Sequence, residues 1–179
     1  FFLARILGAL YFINNIDDKD LVARSRRSLI GNSVLFLVFF LSFVIRTLLA
    51  DGYAVNPETG EVFMEPYKYL TNFIEMPLVL VLFLIGVVLV LFGIGKSLLK
   101  TKFDKGIWFT GIGTVLAVLA LLLVAGYNNT AYYPSTNDLQ SSLTLANSCS
   151  SQFTLRVMFY VSFLVPFVLA YIFYAALLR

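Results

Sequence analysis

Long apolar blocks, such as Ser33–Ala50 and Met76–Gly95, constrain the fold of this chain more than any other feature. An amphipathic helix of a soluble protein exposes polar residues in every turn, and these blocks do not have that pattern. About 20 apolar residues are enough to cross the hydrocarbon layer of a bilayer. The whole chain is 60% hydrophobic and 13% charged, whereas a soluble domain is roughly one-quarter charged. We therefore predict an integral membrane protein.

Five apolar spans are predicted, at Phe1–Asn14, Leu29–Ala50, Tyr69–Gly95, Ile107–Tyr127 and Phe153–Leu178. The first span is too short to cross a bilayer, and the chain starts at Phe1 rather than at Met. We therefore expect that this helix is truncated and that the chain is a fragment of a longer protein. The predicted fold class is an all-α, polytopic membrane helix bundle, in which residues 1–179 form a single region.

The loops between these spans alternate in charge. Lys and Arg collect in Asn15–Ser28 and Lys96–Lys105, and the chain ends at Arg179. By contrast, Asp51–Lys68 is mainly acidic, and Asn128–Gln152 contains neither Lys nor Arg. Short cytoplasmic loops of membrane proteins are enriched in Lys and Arg. We therefore predict that the basic loops and the C-terminus are cytoplasmic and that the other two loops are external.

Four charged residues fall inside the predicted spans. Glu75 lies about six residues into the third span, and Arg46 and Arg156 lie about one turn from the outer ends of the second and fifth. Charged groups at such a depth are costly and are usually paired or functional. We predict an intramembrane charge cluster of these three residues, with a structural ion pair favoured over a proton or quinone-headgroup site. Arg5 is predicted as a separate buried charge, whose role is either structural or functional.

Several smaller features bear on helix packing. Pro77 and Pro166 fall inside spans three and five, where they predict fixed kinks or, alternatively, hinges. Gly111, Gly113 and Ala117 give the fourth span a small face that suits close helix contact.

The triplet Asn128-Asn129-Thr130 matches a glycosylation acceptor, but so short a match carries little weight.

The side-chain inventory excludes several chemistries within this chain. There is no histidine, which excludes His-ligated haem and most zinc sites, and the single cysteine, Cys149, excludes an internal disulfide. We find no Gly-rich phosphate loop and no nucleophile–base pair. We therefore predict no catalytic, cofactor-binding or metal-binding residue in this chain.

Short strings in the last third of the chain carry a family resemblance: Tyr133-Pro134-Ser135, Ser142-Leu143-Thr144, Ser150-Ser151-Gln152-Phe153-Thr154-Leu155, Val157-Met158 and Val165-Pro166. Asp51-Gly52-Tyr53 and Leu70-Thr71-Asn72-Phe73, followed by Pro77, belong to the same pattern. In their order and spacing these strings resemble the C-terminal half of subunit II of the cytochrome bd-type quinol oxidases.

The resemblance implies a membrane subunit of a terminal oxidase that oxidises quinol and reduces dioxygen to water. It implies a homologous partner, subunit I, that holds haems b and d, while this chain binds no haem. The implied location is a bacterial-type inner membrane. The expected partners are subunit I and the lipid bilayer, with small accessory subunits as further candidates and no nucleic acid. The alternative is a fragment of a secondary transporter or of another multi-span membrane protein.

Overall fold

The computed structural model of this chain describes residues 1–100 and 103–177. They form two units, Phe1–Thr144 and Leu145–Arg179. Three residues used in the predictions above, Lys102, Leu178 and Arg179, lie outside the described residues. That residues 1–179 form a single region stays a prediction.

Helices dominate both units. The first unit contains, in chain order, α1 (Phe2–Asn15), α2 (Lys19–Leu49), β1 (Gly52–Val55), β2 (Val62–Glu65), α3 (Lys68–Glu75), α4 (Pro77–Leu99), α5 (Gly106–Gly126) and a 3₁₀ helix (Leu139–Ser141). The second contains α6 (Leu145–Ser148) and α7 (Gln152–Leu177). In the described part of the chain, α2, α4, α5 and α7 are long and apolar enough to cross a membrane. This confirms the prediction of an all-α, polytopic membrane protein.

Helix α2 begins well before the predicted span. The Asp18 carboxylate accepts hydrogen bonds from the backbone N–H groups of Asp20 (2.8 Å) and Leu21 (3.0 Å), so Asp18 caps a helix that begins at Lys19. The prediction of a loop at Asn15–Ser28 is therefore wrong for most of its length. The 31 residues of α2 rise about 46 Å, whereas the hydrocarbon layer is about 30 Å thick. The basic first turns consequently extend beyond that layer.

The predicted third span is two helices rather than one kinked helix. Helix α3 ends at Glu75, Met76 has φ −113° and ψ 71°, and α4 starts at Pro77. A proline disfavours helical backbone at the residue before it, but suits the first position of a helix, where no intrahelical N–H bond is lost. Pro77 is therefore a helix boundary, and the membrane-spanning part begins after it. Pro166, by contrast, lies inside the helix α7.

Helices α4 and α5 touch through their backbones. A methyl group added to Gly86 would lie 2.6 Å from the Ala117 nitrogen, and one added to Gly113 would lie 2.6 Å from the Gly86 carbonyl oxygen. Further along, Gly93 and Gly106 face the side chains of Thr110 and Ser97. The predicted small face is thus confirmed for Gly113 and Ala117. Gly111 points elsewhere, since nothing lies within 4 Å of an added methyl group.

Two apolar clusters form the core of the first unit. One joins α1 and α2 to α4, through Ile6, Leu10 and Ile13, Leu29, and Val90 and Ile94. The other joins α3, α4 and α5, through Phe73, Val79 and Phe83, and Ala117, Ala120 and Val124. Because α4 contributes to both clusters, it is the central helix of this unit.

Strands β1 and β2 form an antiparallel hairpin in the segment predicted as an external loop. Gly60, with φ +74°, donates its N–H to the Asn56 carbonyl (2.8 Å) and closes the turn between the strands. The free side of β1 pairs with the chain after α5, since the Val55 N–H donates to the Asn129 carbonyl (2.7 Å). The free side of β2 is bonded by Gln140, whose amide accepts from the Val62 N–H (2.9 Å) and donates to the Val62 carbonyl (3.0 Å).

These contacts define the two ends of the first unit. We call the end that carries the hairpin and residues 128–144 the hairpin end. The other end, where α1 connects to α2 and α4 connects to α5, is the connector end. At the connector end Arg26 donates to the backbone carbonyls of Ser97 and Lys100, the latter at 3.2 Å. A guanidinium at these carbonyls satisfies groups that the last turn of α4 leaves unbonded.

The glycine contact between α4 and α5 predicts unequal effects of two similar substitutions. Gly113→Ala should lower the stability by about 1–3 kcal/mol, because its methyl group would overlap the Gly86 carbonyl. Gly111→Ala is the matched control, on the same helix and with open space around it, and should leave stability unchanged or slightly raised. Thermal unfolding of the purified protein in detergent measures both. Equal melting temperatures for the two variants would contradict the proposed contact.

Candidate functional site

The polar side chains of the hairpin end converge on Asn72, which is fully buried in α3. Its amide nitrogen donates to the Val124 carbonyl (2.9 Å) and to the Thr130 hydroxyl (2.8 Å). Its amide oxygen accepts from the side-chain nitrogen of Asn128 (3.0 Å). Asn72 therefore ties α3 to the last turn of α5 and to the segment that follows α5.

Asn128 extends this cluster to Glu75. It follows the end of α5 and, like Asn129, has a left-handed backbone, with φ values of 59° and 52°. Asparagine tolerates this conformation better than most residues. The Asn128 side-chain nitrogen also donates to the Glu75 carboxylate. Because Asn128 is hydrogen-bonded and Thr130 is buried, the triplet Asn128-Asn129-Thr130 is used in the cluster rather than displayed as a glycosylation acceptor.

A second charged group lies under the hairpin. The Lys68 side chain is 8% exposed, and its ammonium group pairs with the Glu65 carboxylate at 3.1 Å. Gly52 lies against it, since a methyl group added there would be 2.5 Å from the Lys68 Cβ. Burial raises the pKa of the neighbouring Tyr69 phenol, and Tyr53 raises it further. At neutral pH the phenol is therefore a neutral hydrogen-bonding group.

The structure places the predicted charge cluster differently from the sequence. Glu75 is the last residue of α3 and lies outside the spanning helix α4, so its predicted depth in the membrane stays a prediction. Arg46 lies in the last turn of α2 and lines an open cleft of about 330 Å³ with Tyr69 and Val124. No ion pair joins Glu75 to Arg46 among the described residues. Arg156 belongs to α7 in the second unit.

The pairing of Glu75 with Arg46 or Arg156 therefore stays a prediction. Arg5 is exposed in the described chain, with its guanidinium 5.7 Å from the ring centroid of Phe1, and its burial in the whole protein stays a prediction. From the sequence, Asn72, Asn128 and Lys68 had no predicted role in a hydrogen-bonded cluster, and capping of carbonyl groups at the end of α4 by Arg26 was not predicted. A signal was present for Asn72, which is an amide within a predicted apolar span and is therefore expected to have a buried partner.

The comparisons with known proteins match this chain to one family. The family model described as "Cytochrome bd terminal oxidase subunit II" matches residues 1–178. The chain belongs to the cytochrome bd terminal oxidase subunit II family.

Curated relatives agree with this assignment. Cytochrome bd-I ubiquinol oxidase subunit 2 of Escherichia coli strain K12 is 32% identical over 131 residues, which are 72% of this chain and 33% of the relative. The proteins of the same name from Escherichia coli O6:H1 and O157:H7 match with the same identity and coverage. The matched part thus spans about one third of the length of these relatives.

The donor groups of this subunit II chain do not fit a haem iron. Haem iron takes histidine, cysteine, methionine or tyrosine as axial ligand in a protected pocket. The sequence has no histidine. Cys149, Met64 and Met158 are exposed in the described chain, and Met76 packs against the apolar cluster of α3, α4 and α5. The described residues also contain no group of three or more His, Cys, Asp or Glu side chains that could hold a metal ion. The polar groups of the hairpin end are instead used in hydrogen bonds that join elements of the fold.

The buried Asn72 cluster predicts a large loss of stability in Asn72→Leu. This substitution would leave the Val124 carbonyl, Thr130 and Asn128 without their partner, at a cost of about 3 kcal/mol. Thr71→Val is the matched control on α3, because the Thr71 hydroxyl bonds only weakly to its own helix, with 3.3 Å to the Tyr67 carbonyl. Thermal unfolding in detergent compares the two variants. A loss in Asn72→Leu no larger than that in Thr71→Val would show that the cluster does not hold the hairpin end together.

Proposed function

We propose that this chain is part of the membrane subunit II of a cytochrome bd-type terminal oxidase, a complex that oxidises quinol and reduces dioxygen to water. The observation that carries the proposal is the family match across residues 1–178. The relatives are named as subunits of a ubiquinol oxidase, which supports quinol as the substrate of the complex. A match over the whole chain leaves the alternative of a secondary transporter without support.

In this complex the chain has a structural role, and the haems b and d are held by subunit I. Two features support this division of labour. The sequence has no histidine, and the buried Asn72 and Lys68 are bonded to neighbours within the fold. Side chains such as Val38, Leu41 and Ile45 on α2 are apolar and exposed in the described chain. Such surfaces suit contact with lipid and with the transmembrane helices of subunit I.

The proposal predicts that subunit I and its haems copurify with this subunit. The full-length protein that contains this chain would be tagged, extracted in mild detergent and purified from its own cells. Absorption bands of b- and d-type haem, together with quinol-dependent oxygen uptake, are the expected result. An unrelated tagged membrane protein from the same cells is the control. A purified, folded subunit that carries neither haem type and no oxygen uptake would overturn the proposal.

We further propose that the connector end faces the cytoplasm of a bacterial-type cell and that the hairpin end faces outward. Lys and Arg side chains collect at the connector end, in the first turns of α2 and in the connection from α4 to α5. The hairpin end carries acidic residues, among them Asp51, Glu58 and Glu61. This distribution follows the rule that cytoplasmic segments are enriched in Lys and Arg.

Cysteine labelling tests this orientation in a Cys149→Ser background. Glu58→Cys at the hairpin end and Lys105→Cys at the connector end both lie at exposed positions. A membrane-impermeant maleimide applied to intact cell membranes from outside should label the cysteine at position 58 and not that at position 105. Permeabilised membranes are the control, in which both should react. Labelling of position 105 alone in sealed membranes would show the opposite orientation.

A further inference from the structure

Two arginines meet in a cleft between α1 and α2, near the connector end. The cleft has a volume of about 380 Å³ and is lined by Arg5, Gly8, Ala9 and Phe12 from α1 and by Arg24, Ser25 and Ser28 from α2. It therefore brings two guanidinium groups and two hydroxyls to one open space. Neither arginine forms an ion pair within the described residues, including Arg24 with Asp20, which lies one turn away.

The depth of the cleft follows from the length of α2. From Leu29 to Leu49 this helix rises about 30 Å, which matches the thickness of the hydrocarbon layer. Ser28 thus lies at the boundary of that layer, and Arg24 lies one turn further toward water. Arg5 lines the same cleft from the antiparallel helix α1, so it lies near this boundary too. A pair of cations at this level faces the phosphate groups of lipids.

An apolar groove adjoins the cleft on the side of the membrane interior. It is lined by Phe1, Phe2 and Leu3 from α1 and by Phe36, Phe39, Phe40 and Phe43 from α2. Arg5 connects the two spaces, because its guanidinium lies 5.7 Å from the ring centroid of Phe1. A cationic cleft next to an apolar groove has the polarity of a single phospholipid, with its charged headgroup and its acyl chains.

We propose that the cleft between α1 and α2 binds the phosphate headgroup of an anionic phospholipid through Arg5 and Arg24. Guanidinium groups bind phosphate oxygens by charge-assisted hydrogen bonds, and the hydroxyls of Ser25 and Ser28 can donate to the same oxygens. The acyl chains lie along the phenylalanine-lined groove. The lipid belongs to the cytoplasmic leaflet, a placement that rests on the orientation proposed above.

Native mass spectrometry of the full-length protein in detergent measures this binding directly. Phosphatidylglycerol and phosphatidylcholine with identical acyl chains are the two probes. The proposal predicts retention of phosphatidylglycerol at concentrations at least about fivefold lower than those needed for phosphatidylcholine. The double variant Arg5→Gln/Arg24→Gln should lose about tenfold in affinity for phosphatidylglycerol, because both headgroup contacts are removed.

Two further variants separate a built site from general attraction of charge. Arg27 lies one turn after Arg24 in α2 but does not line the cleft. Arg27→Gln therefore removes a nearby charge and should change the affinity for phosphatidylglycerol less than about twofold. Gly8→Leu keeps every charge but fills the cleft, and it should weaken binding as strongly as the double variant. The position has open space at its Cβ, since nothing lies within 4 Å of a methyl group added to Gly8.

Three results would overturn the proposal. The first is equal binding of the two lipids by the unsubstituted protein. The second is a loss in Arg27→Gln as large as that in Arg5→Gln/Arg24→Gln, which would indicate diffuse electrostatic attraction. The third is unchanged binding in Gly8→Leu, which would place the lipid elsewhere. None of these results depends on oxidase activity, so they leave the proposed function of the complex to its own test.

Discussion

The backbone contact between α4 and α5 is the interaction on which the rest of the first unit depends. Lipid solvates apolar side chains as well as protein does, so helices in a membrane associate mainly by close packing. Glycines at positions 86 and 113 allow the two backbones to approach until a single methyl group would not fit. Helix α4 contributes to both apolar clusters, and α5 contributes Ala117, Ala120 and Val124 to the second. At the connector end the pair presents the Ser97 and Lys100 carbonyls to Arg26, and at the hairpin end it presents the Val124 carbonyl to Asn72.

Hydropathy predicted the membrane-spanning helices well because each must satisfy its own backbone hydrogen bonds in a solvent without donors or acceptors. The bounds of α5 and α7 lie within a residue or so of those predicted. The differences arise where water is present. There the first turns of α2 are helical because of a local cap at Asp18, although their composition is that of a polar loop. The hairpin, which also lies outside the spanning helices, was not predicted because its two strands have only four residues each and carry no long apolar pattern.

The candidate site was harder to predict than the fold. The depth of Glu75 was counted along one continuous helix, and the boundary at Pro77 makes that count invalid. Its hydrogen-bond partner, Asn128, is 53 residues away in the chain and is positioned by a left-handed backbone that the sequence only weakly indicates. Charge pairing between helices depends on the rotation of each helix about its axis, which hydropathy alone does not provide. For this reason Glu75 could be recognised from the sequence, whereas its contacts could not.

The hydrogen bonds of Gln140 have a consequence for how other proteins can approach the hairpin end. An exposed strand normally offers a row of free backbone groups to which a second chain can add as a further strand. Here the amide of Gln140 occupies both backbone groups of Val62, and the chain at Asn129 to Ala131 occupies the outer side of β1. A polypeptide that binds this surface therefore cannot extend the sheet at Val62 or along β1, and it must recognise side chains there. Such recognition is selective for shape and charge, and it protects a two-stranded sheet at the membrane surface from indiscriminate pairing.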